Sequence, residues 1–491
     1  MTTPKIPALV AAALALAACT STDIPLNSSI GMPQQFDQTQ AAKGSADITR
    51  WWRQWNDPVL NGLIEQRLRQ SHDIRIARSR LNEAGATARL ADADKGALAG
   101  ANADFGRADG LIRNPLSSQT RAALRQNPLT AAADQDRFRL DGNSLSGGLS
   151  ASWEPDIFGK KRSDADAARY AALGAQEQVY GAQILLAGSI AENYFKARAA
   201  QGRLKNAART TATLGRLVRY VEGRFKAGHT TAYEVNQART RLTAAQARES
   251  TFQAEYAAHV RSIAVLTGQV PQGYSLPDSR KDVLAAQPAA PRGQTPQGLL
   301  ERRPDIRAQA AQVKAYAAKL ASAKADLLPR FTIEFLGQGS IDVNSDSGLK
   351  GWGSLLRAGI RVPVFTNGRT RANIAAADAR LQTALLQYDQ TLLTALSEVD
   401  TAYQTHTALT RQNTLLETAR RQASKQAADT EKLFKYGNKT LDEALRARLN
   451  ETEMQENLIQ SRLARAQTLI GLYKALGGGW TAGGSEQAGK P

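Results

Sequence analysis

The sequence predicts a mainly α-helical chain with a smaller β part, made by duplicating one strand-and-helix unit. Three observations carry this prediction. The stretch "FKAGHTTAYE" at Phe225 is echoed by "FKYGNKTLDE" at Phe434: Phe225, Lys226, Gly228, Thr231 and Glu234 return 209 positions later as Phe434, Lys435, Gly437, Thr440 and Glu443. No proline interrupts the chain from Lys160 to Lys226 or from Arg369 to Lys435, and each run is long enough for a helix of roughly 100 Å. Four segments alternate apolar and polar residues at the strand period, as Phe331, Ile333 and Phe335 do around Thr332 and Glu334.

The chain opens with "MTTPKIPALVAAALALAACTST", in which one lysine precedes an apolar run from Ile6 to Ala18 and the sole cysteine, Cys19. A run that short, ending in small residues, reads as a secretory signal over residues 1–18 and not as a spanning helix. Leu16-Ala17-Ala18-Cys19 resembles a bacterial lipobox, which marks Cys19 as the lipidation site. Thr20 stands where an aspartate would retain such a protein at the inner membrane, so the outer membrane is the expected destination. Residues 19–56 then form a lipidated lead-in segment, with Trp51, Trp52 and Trp55 expected to pack onto the helical body.

The first structural repeat is placed at 57–272 and the second at 295–476, with a linker at 273–294. Each repeat reads as an opening helix (57–97 and 295–327), two strands (98–109 and 143–155; 330–340 and 353–364) and two long helices. Asp73-Ile74-Arg75 recurs as Asp305-Ile306-Arg307 at an offset of 232, against 209 at the echoed turn; the difference is a 23-residue surplus in the first half. The polar stretch from Leu111 to Gly142 is read as the long loop that holds it. Residues 477–491, "GGGWTAGGSEQAGKP", read as a flexible C-terminal tail.

The echoed turn has a local explanation. Gly228 and Gly437 suit the left-handed residue that ends a helix, and Thr231…Glu234 and Thr440…Glu443 fit the T-x-x-E capping box that starts the next one. Both reversals therefore join antiparallel helices and are expected at one end of the molecule. In the second half Leu381, Leu385, Tyr388, Leu392, Leu396, Val399 and Tyr403 follow spacings of 4, 3, 4, 4, 3 and 4. That is an eleven-residue repeat of ~3.67 residues per turn, suited to nearly straight helices packed side by side.

Composition removes several function classes. The formal net charge is +18, but Lys and Arg are interspersed with acids along the helices, with no concentrated basic stripe for nucleic acid. With Cys19 committed to lipid, no disulfide or cysteine metal site is expected, and His72, His229, His259 and His406 lack ligand spacing. No phosphate-binding glycine loop or catalytic cluster is evident, so neither an enzyme nor a cofactor is expected. After the signal segment no run of ~18 apolar residues occurs, so any membrane crossing falls to the strands.

The lipobox, "WWRQWNDPVLNGLIEQ" at Trp51, "WEPDIFGKKR" at Trp153, "LLERRPDIRAQAAQV" at Leu299, "ADLLPRFTI" at Ala325 and the twin turns together resemble the TolC-type outer-membrane efflux channels, specifically the NodT/OprM-like lipoprotein branch. The resemblance runs in order through nearly the whole mature chain. It implies a homotrimer in which each chain gives four strands to one 12-stranded β-barrel, continued by a long α-helical periplasmic tunnel. It also implies partners: outer-membrane lipid, a periplasmic adaptor at the helical turns, and an inner-membrane pump of the resistance-nodulation-division (RND) class. Relatives narrow the tunnel with acidic rings near the turns. Carried across, the first acidic position falls at Glu443, while the next aspartate of the pattern falls at Arg446. That departure suggests a mixed-charge gate or one using Asp442 and Glu443; Glu443 serves equally as a helix cap, and Glu234 reads first as one. Gly228, Thr231, Gly437 and Thr440 are the expected adaptor contacts. Trp153 and Trp352, near strand ends, suit an interfacial belt or simple packing. The expected function is a passive exit duct for drugs or other small molecules; the alternative is a lipid-anchored periplasmic scaffold that does not conduct.

Overall fold

The computed structural model describes residues 28–37, 42–68, 71–125, 137–279, 281–342 and 350–480; the signal segment and Cys19 lie outside them. After a 3-10 turn at Trp51–Trp55, the first repeat runs α1 (Pro58–Arg67), α2 (His72–Ala93), β1 (Leu98–Arg113), α3 (Ser118–Leu124), β2 (Arg137–Trp153), α4 (Lys160–Lys226) and α5 (Ala232–Leu266). The second runs α6 (Pro296–Arg302), α7 (Pro304–Ala325), β3 (Arg330–Asp342), β4 (Lys350–Arg361), α8 (Arg369–Lys435) and α9 (Leu441–Ala475). The proline-free runs are single uninterrupted helices, α4 and α8, of 67 residues each.

Three sequence expectations need correction. The opening helices are each divided. Pro304 has no amide hydrogen and bars Arg303 from the helical region, so Arg303 sits at φ −80°, ψ 114° between α6 and α7. In the first half, the Ser71 hydroxyl accepts from the Asp73 N–H at 3.2 Å and starts α2 afresh. The long loop is shorter than expected, because β1 extends to Arg113 and β2 begins at Arg137; polar side chains fit a strand wherever the backbone ladder continues. Finally, the expected tail begins as packed structure. Gly477 to Gly479 are buried, and a Cβ on Gly477 or Gly478 would stand 2.7 Å from the Arg302 carbonyl oxygen or 2.6 Å from that of Ile48. These glycines permit close approach instead of supplying flexibility. Trp480 then stacks on Tyr180 at 4.3 Å, and its indole N–H donates to the Arg302 carbonyl at 3.0 Å.

The chain forms two compact units that cut across the repeats: one gathers residues 86–168 and 315–381, the other the remaining helical segments and the lead-in. The first unit contains one antiparallel sheet in the order β1-β2-β3-β4, with β1 and β4 at its edges. The register gives the sheet two chemically distinct faces. Ala101, Phe105, Leu145, Leu149, Trp153, Ile333, Phe335, Trp352, Leu356 and Ile360 share one; Asn102, Asp104, Ser146, Ser150, Ser152, Glu334, Gln338 and Arg357 share the other. The apolar side chains are not covered: Phe105 is 70% exposed and Leu356 73%. Trp153 and Trp352 lie on that same face, the Trp153 indole donating to the Lys95 carbonyl at 3.1 Å.

The second unit holds the aromatic core. Trp51, Trp52 and Trp55 are almost fully buried, as expected, and Trp51 stacks on Tyr473 with ring centroids 5.3 Å apart. The Tyr403 hydroxyl donates to the Pro291 carbonyl at 2.7 Å, and that of Tyr194 donates to Asp57, so buried phenols keep their partners. The eleven-residue stripe of α8 is buried at Leu381, Tyr388, Leu392, Val399 and Tyr403, while Ala384 and Ala395 occupy seats beside the half-buried Leu385 and Leu396. Small residues there allow close helix packing.

Candidate functional site

Both echoed turns lie in the helical unit. The last carbonyls of α4 are closed by Gly228, at φ 77°, whose N–H donates to Phe225 at 3.0 Å, and by His229, whose N–H donates to Arg224 at 2.8 Å. At the end of α8, Gly437, at φ 79°, donates to Phe434 at 3.0 Å and Asn438 to Leu433 at 2.9 Å. This is the Schellman arrangement, and its positive-φ residue is glycine in both copies. The next helix starts at once. The Glu234 carboxylate accepts from the Thr231 N–H at 3.1 Å; Glu443 accepts from Thr440 at 2.9 Å, while the Thr440 hydroxyl accepts from the Glu443 N–H at 3.3 Å. Both capping boxes form, so Glu234 and Glu443 are helix caps.

The remaining gate candidates, Asp442 and Arg446, stand on the first two turns of α9. Arg446 pairs with Asp442 at 2.8 Å and Lys439 with Glu443 at 2.7 Å. The Lys439 ammonium, then the Thr440 N–H and hydroxyl, bring the Glu443 carboxyl down to about 2, so it stays ionised at any physiological pH. The turn of α8–α9 thus alternates charges: every acid is matched by a cation on its own helix or turn. Leu445 of α9 packs with Leu214, Leu217 and Val218 of α4 and Ala238 and Ala245 of α5, which fixes the two reversals beside one another.

Sequence reasoning missed one pair of contacts. Arg239 on α5 reaches back to Glu222 on α4 at 2.6 Å, and Arg448 on α9 reaches Glu431 on α8 at 2.7 Å. Glu222 and Glu431, like Arg239 and Arg448, stand at the same 209-position offset as the turn residues, so the repeat could have disclosed them. Each hairpin is clamped at the same point below its turn.

Comparison with known proteins follows the same architecture. Residues 63–269 and 295–478 match the model of the outer membrane efflux protein family. The chain is 30% identical over 476 residues to the pyoverdine export outer membrane protein OpmQ of Pseudomonas aeruginosa, covering 96% of each. It is 25% identical over 462 residues to the probable outer membrane lipoprotein SilC of Salmonella typhimurium, covering 91% of this chain and 93% of SilC. The solved structure of the outer-membrane channel OprN superposes with a TM-score of 0.78 at 25% identity, covering 92% of this chain and 98% of OprN. The open state of the MtrE outer membrane channel of Neisseria gonorrhoeae shares the fold, with a TM-score of 0.75 at 21% identity over 94% of this chain and 98% of MtrE.

Proposed function

The chain belongs to the outer membrane efflux protein family, and from that premise we propose that it works as a passive trimeric exit duct, gated at the α8–α9 turn and coupled through a periplasmic adaptor to an RND-class pump. The observation that carries this reading is the sheet. Its one face is apolar and uncovered, its other is mainly polar with Leu98, Leu336 and Leu355 among the polar side chains, and both edges are open among the described residues. In lipid, unpaired edge groups each cost several kcal/mol, on the order of a lost buried hydrogen bond. Four strands are too few to close, whereas three copies form the 12-stranded barrel of the fold, apolar face to lipid and polar face to the lumen. Cys19, upstream of the described lead-in, would carry the lipid that holds the assembly at the outer membrane.

Energy enters from the pump, and this chain supplies the conduit. Asp442, Glu443 and Arg446 would face one another in three copies where the duct narrows. Because Arg446 neutralises Asp442 and Lys439 neutralises Glu443, that ring is a mixed-charge latch and a weak cation filter. Cargo is set mainly by the pump, and drugs or other small molecules fit a wide polar duct.

The test is single-channel recording of the purified, lipidated protein in a planar bilayer, beside the double variant D442N/E443Q. Unitary steps are expected from both, with larger conductance or altered ion selectivity in the variant. Steps unchanged by the substitutions would leave the channel but reduce these residues to caps. Silence from both folded trimers would refute the channel.

A further inference from the structure

A cavity of about 1010 Å³ opens within the helical unit, between α4 and α8, where α7 begins and α9 ends. Its walls carry apolar side chains that the fold leaves uncovered: Leu185 of α4 is 59% exposed and Leu393 of α8 46%. Two mid-helix glycines keep the space free. A Cβ at Gly471 of α9 would meet no atom of another segment within 4 Å, and one at Gly181 of α4 only the Pro304 Cβ at 4.0 Å. Glycine inside a helix is destabilising relative to alanine, so the helices give up stability at the two positions where a side chain would fill the cavity. Open leucines beside that unfilled space make a seat for an apolar group.

The polar groups of the cavity present acceptors. The Arg303 side chain is 9% exposed and spends its donors on Asp305, Glu398 and the Ala475 carbonyl, while the two carboxylate side chains are each 49% exposed. A solute therefore meets the carboxylates and not the cation that holds them. The Lys474 stem lies against Gly188, where a Cβ would stand 2.7 Å from its Cδ, and its ammonium goes to Glu192 at 3.4 Å, a residue outside the cavity wall. The Thr394 hydroxyl donates to the Gln390 carbonyl at 2.8 Å, which leaves its oxygen as an acceptor. The start of α7 offers little to an anion. Pro304 has no N–H, and those of Ile306 and Arg307 go to the Asp305 carboxylate at 2.9 Å and the Arg303 carbonyl at 3.1 Å.

From this cavity we infer that the chain holds a binding site for an amphipathic organic cation, its apolar body on Leu185 and Leu393 and its positive group at the Glu398 and Asp305 carboxylates. That such a cation is cargo in transit rests on the reading of the chain as a duct; the binding itself does not. Affinity comes mainly from the apolar area withdrawn from water, because half-hydrated carboxylates add little to it. Charge decides which solute stays: a cation gains at the carboxylates, a neutral solute of the same shape keeps the apolar part alone, and an anion is repelled.

The probes are tetraphenylphosphonium and tetraphenylborate, ions of one shape and opposite charge, measured by equilibrium dialysis against purified trimers with empty micelles as the blank. The phosphonium is expected to bind, and the borate not. Gly471→Leu fills the cavity and should abolish binding; L185S/L393S should weaken it about tenfold or more, and Glu398→Gln about two- to fivefold. Leu415→Ser, at an exposed α8 position outside the cavity wall, should leave it unchanged. Equal binding of the two ions, no phosphonium bound to folded trimers (as when a second copy covers the cavity), or binding indifferent to both Gly471→Leu and L185S/L393S would overturn the inference. Unitary steps are recorded in parallel. Steps without binding remove the site and leave the duct, whereas binding without steps supports the site and removes its reading as a cargo seat.

Discussion

Individual residues hold this molecule together where polar groups are buried. Arg303 is almost inaccessible, yet its guanidinium donates to Asp305 at 2.6 Å, to Glu398 at 2.8 Å and to the Ala475 carbonyl at 3.0 Å. It ties the break before α7 to α8 and to the end of α9. Asp305 and Glu398 are each about half exposed, so Arg303→Ala leaves them to water and removes the buried fork that joins three segments, at an expected cost of about 1.5–3 kcal/mol; Arg303→Lys, lacking the planar fork, should recover only part of it. Thermal unfolding followed by helical circular dichroism measures both. His406 is buried, its Nε2 has no partner among the described residues, and desolvation, then the nearby Arg465, lower its pKa to about 4. An unfolded histidine titrates near 6.5, so the unfolded chain binds more protons between these values. Stability is therefore full above about pH 6.5 and falls as the pH drops towards 4, by up to about 3 kcal/mol. His406→Gln should flatten the unfolding midpoint across that window; a parallel slope in wild type and variant would assign the pH dependence elsewhere.

At the scale of elements, adjacent residues of one strand meet different solvents. Leu355 and Leu356 of β4 point to opposite faces. On the lipid-facing side Leu356→Arg is expected to cost about 2–4 kcal/mol near the bilayer midplane, whereas Leu355→Arg faces the lumen and should be tolerated. Yield of folded trimer compares them. The helical hairpins make a similar local prediction. Thr440→Ala removes the hydroxyl that accepts from the Glu443 N–H, should cost about 1 kcal/mol, and should raise hydrogen exchange in the first turn of α9. These element-level features were legible in sequence because they are short-range: the glycine at positive φ, the T-x-x-E box and the proline-free runs depend on neighbours within a turn or two. The breaks at Pro304 and Ser71 were written there as well, but the continuous apolar pattern on both sides concealed them.

At the scale of the whole molecule, one chain is incomplete. A sheet with free β1 and β4 edges and an uncovered apolar face needs further copies and lipid to satisfy it. Unheated samples in detergent gels are therefore expected to migrate as trimers and boiled samples as monomers. Migration as monomer under both conditions, from protein with native circular dichroism, would contradict barrel closure. Duplication explains the economy of the plan: each repeat contributes one strand pair to one compact unit and one helical hairpin to the other.

The sequence by itself determined the repeat, the long helices, the two reversals and the alternation that makes a two-faced sheet, because each is encoded by residues a few positions apart. Glu443's capping role was also written in that local spacing. Only the tertiary structure decided which charges meet. Arg446 reads from sequence as a departure from a gate pattern; in space it closes an ion pair with Asp442. The clamps of Glu222 with Arg239 and Glu431 with Arg448 join residues 17 positions apart across a turn. "GGGW" read as slack, yet Gly477 and Gly478 admit backbone contacts that no Cβ would allow, and Trp480 settles on Tyr180. Local spacing fixes backbone conformation, whereas packing between distant segments fixes what each side chain touches.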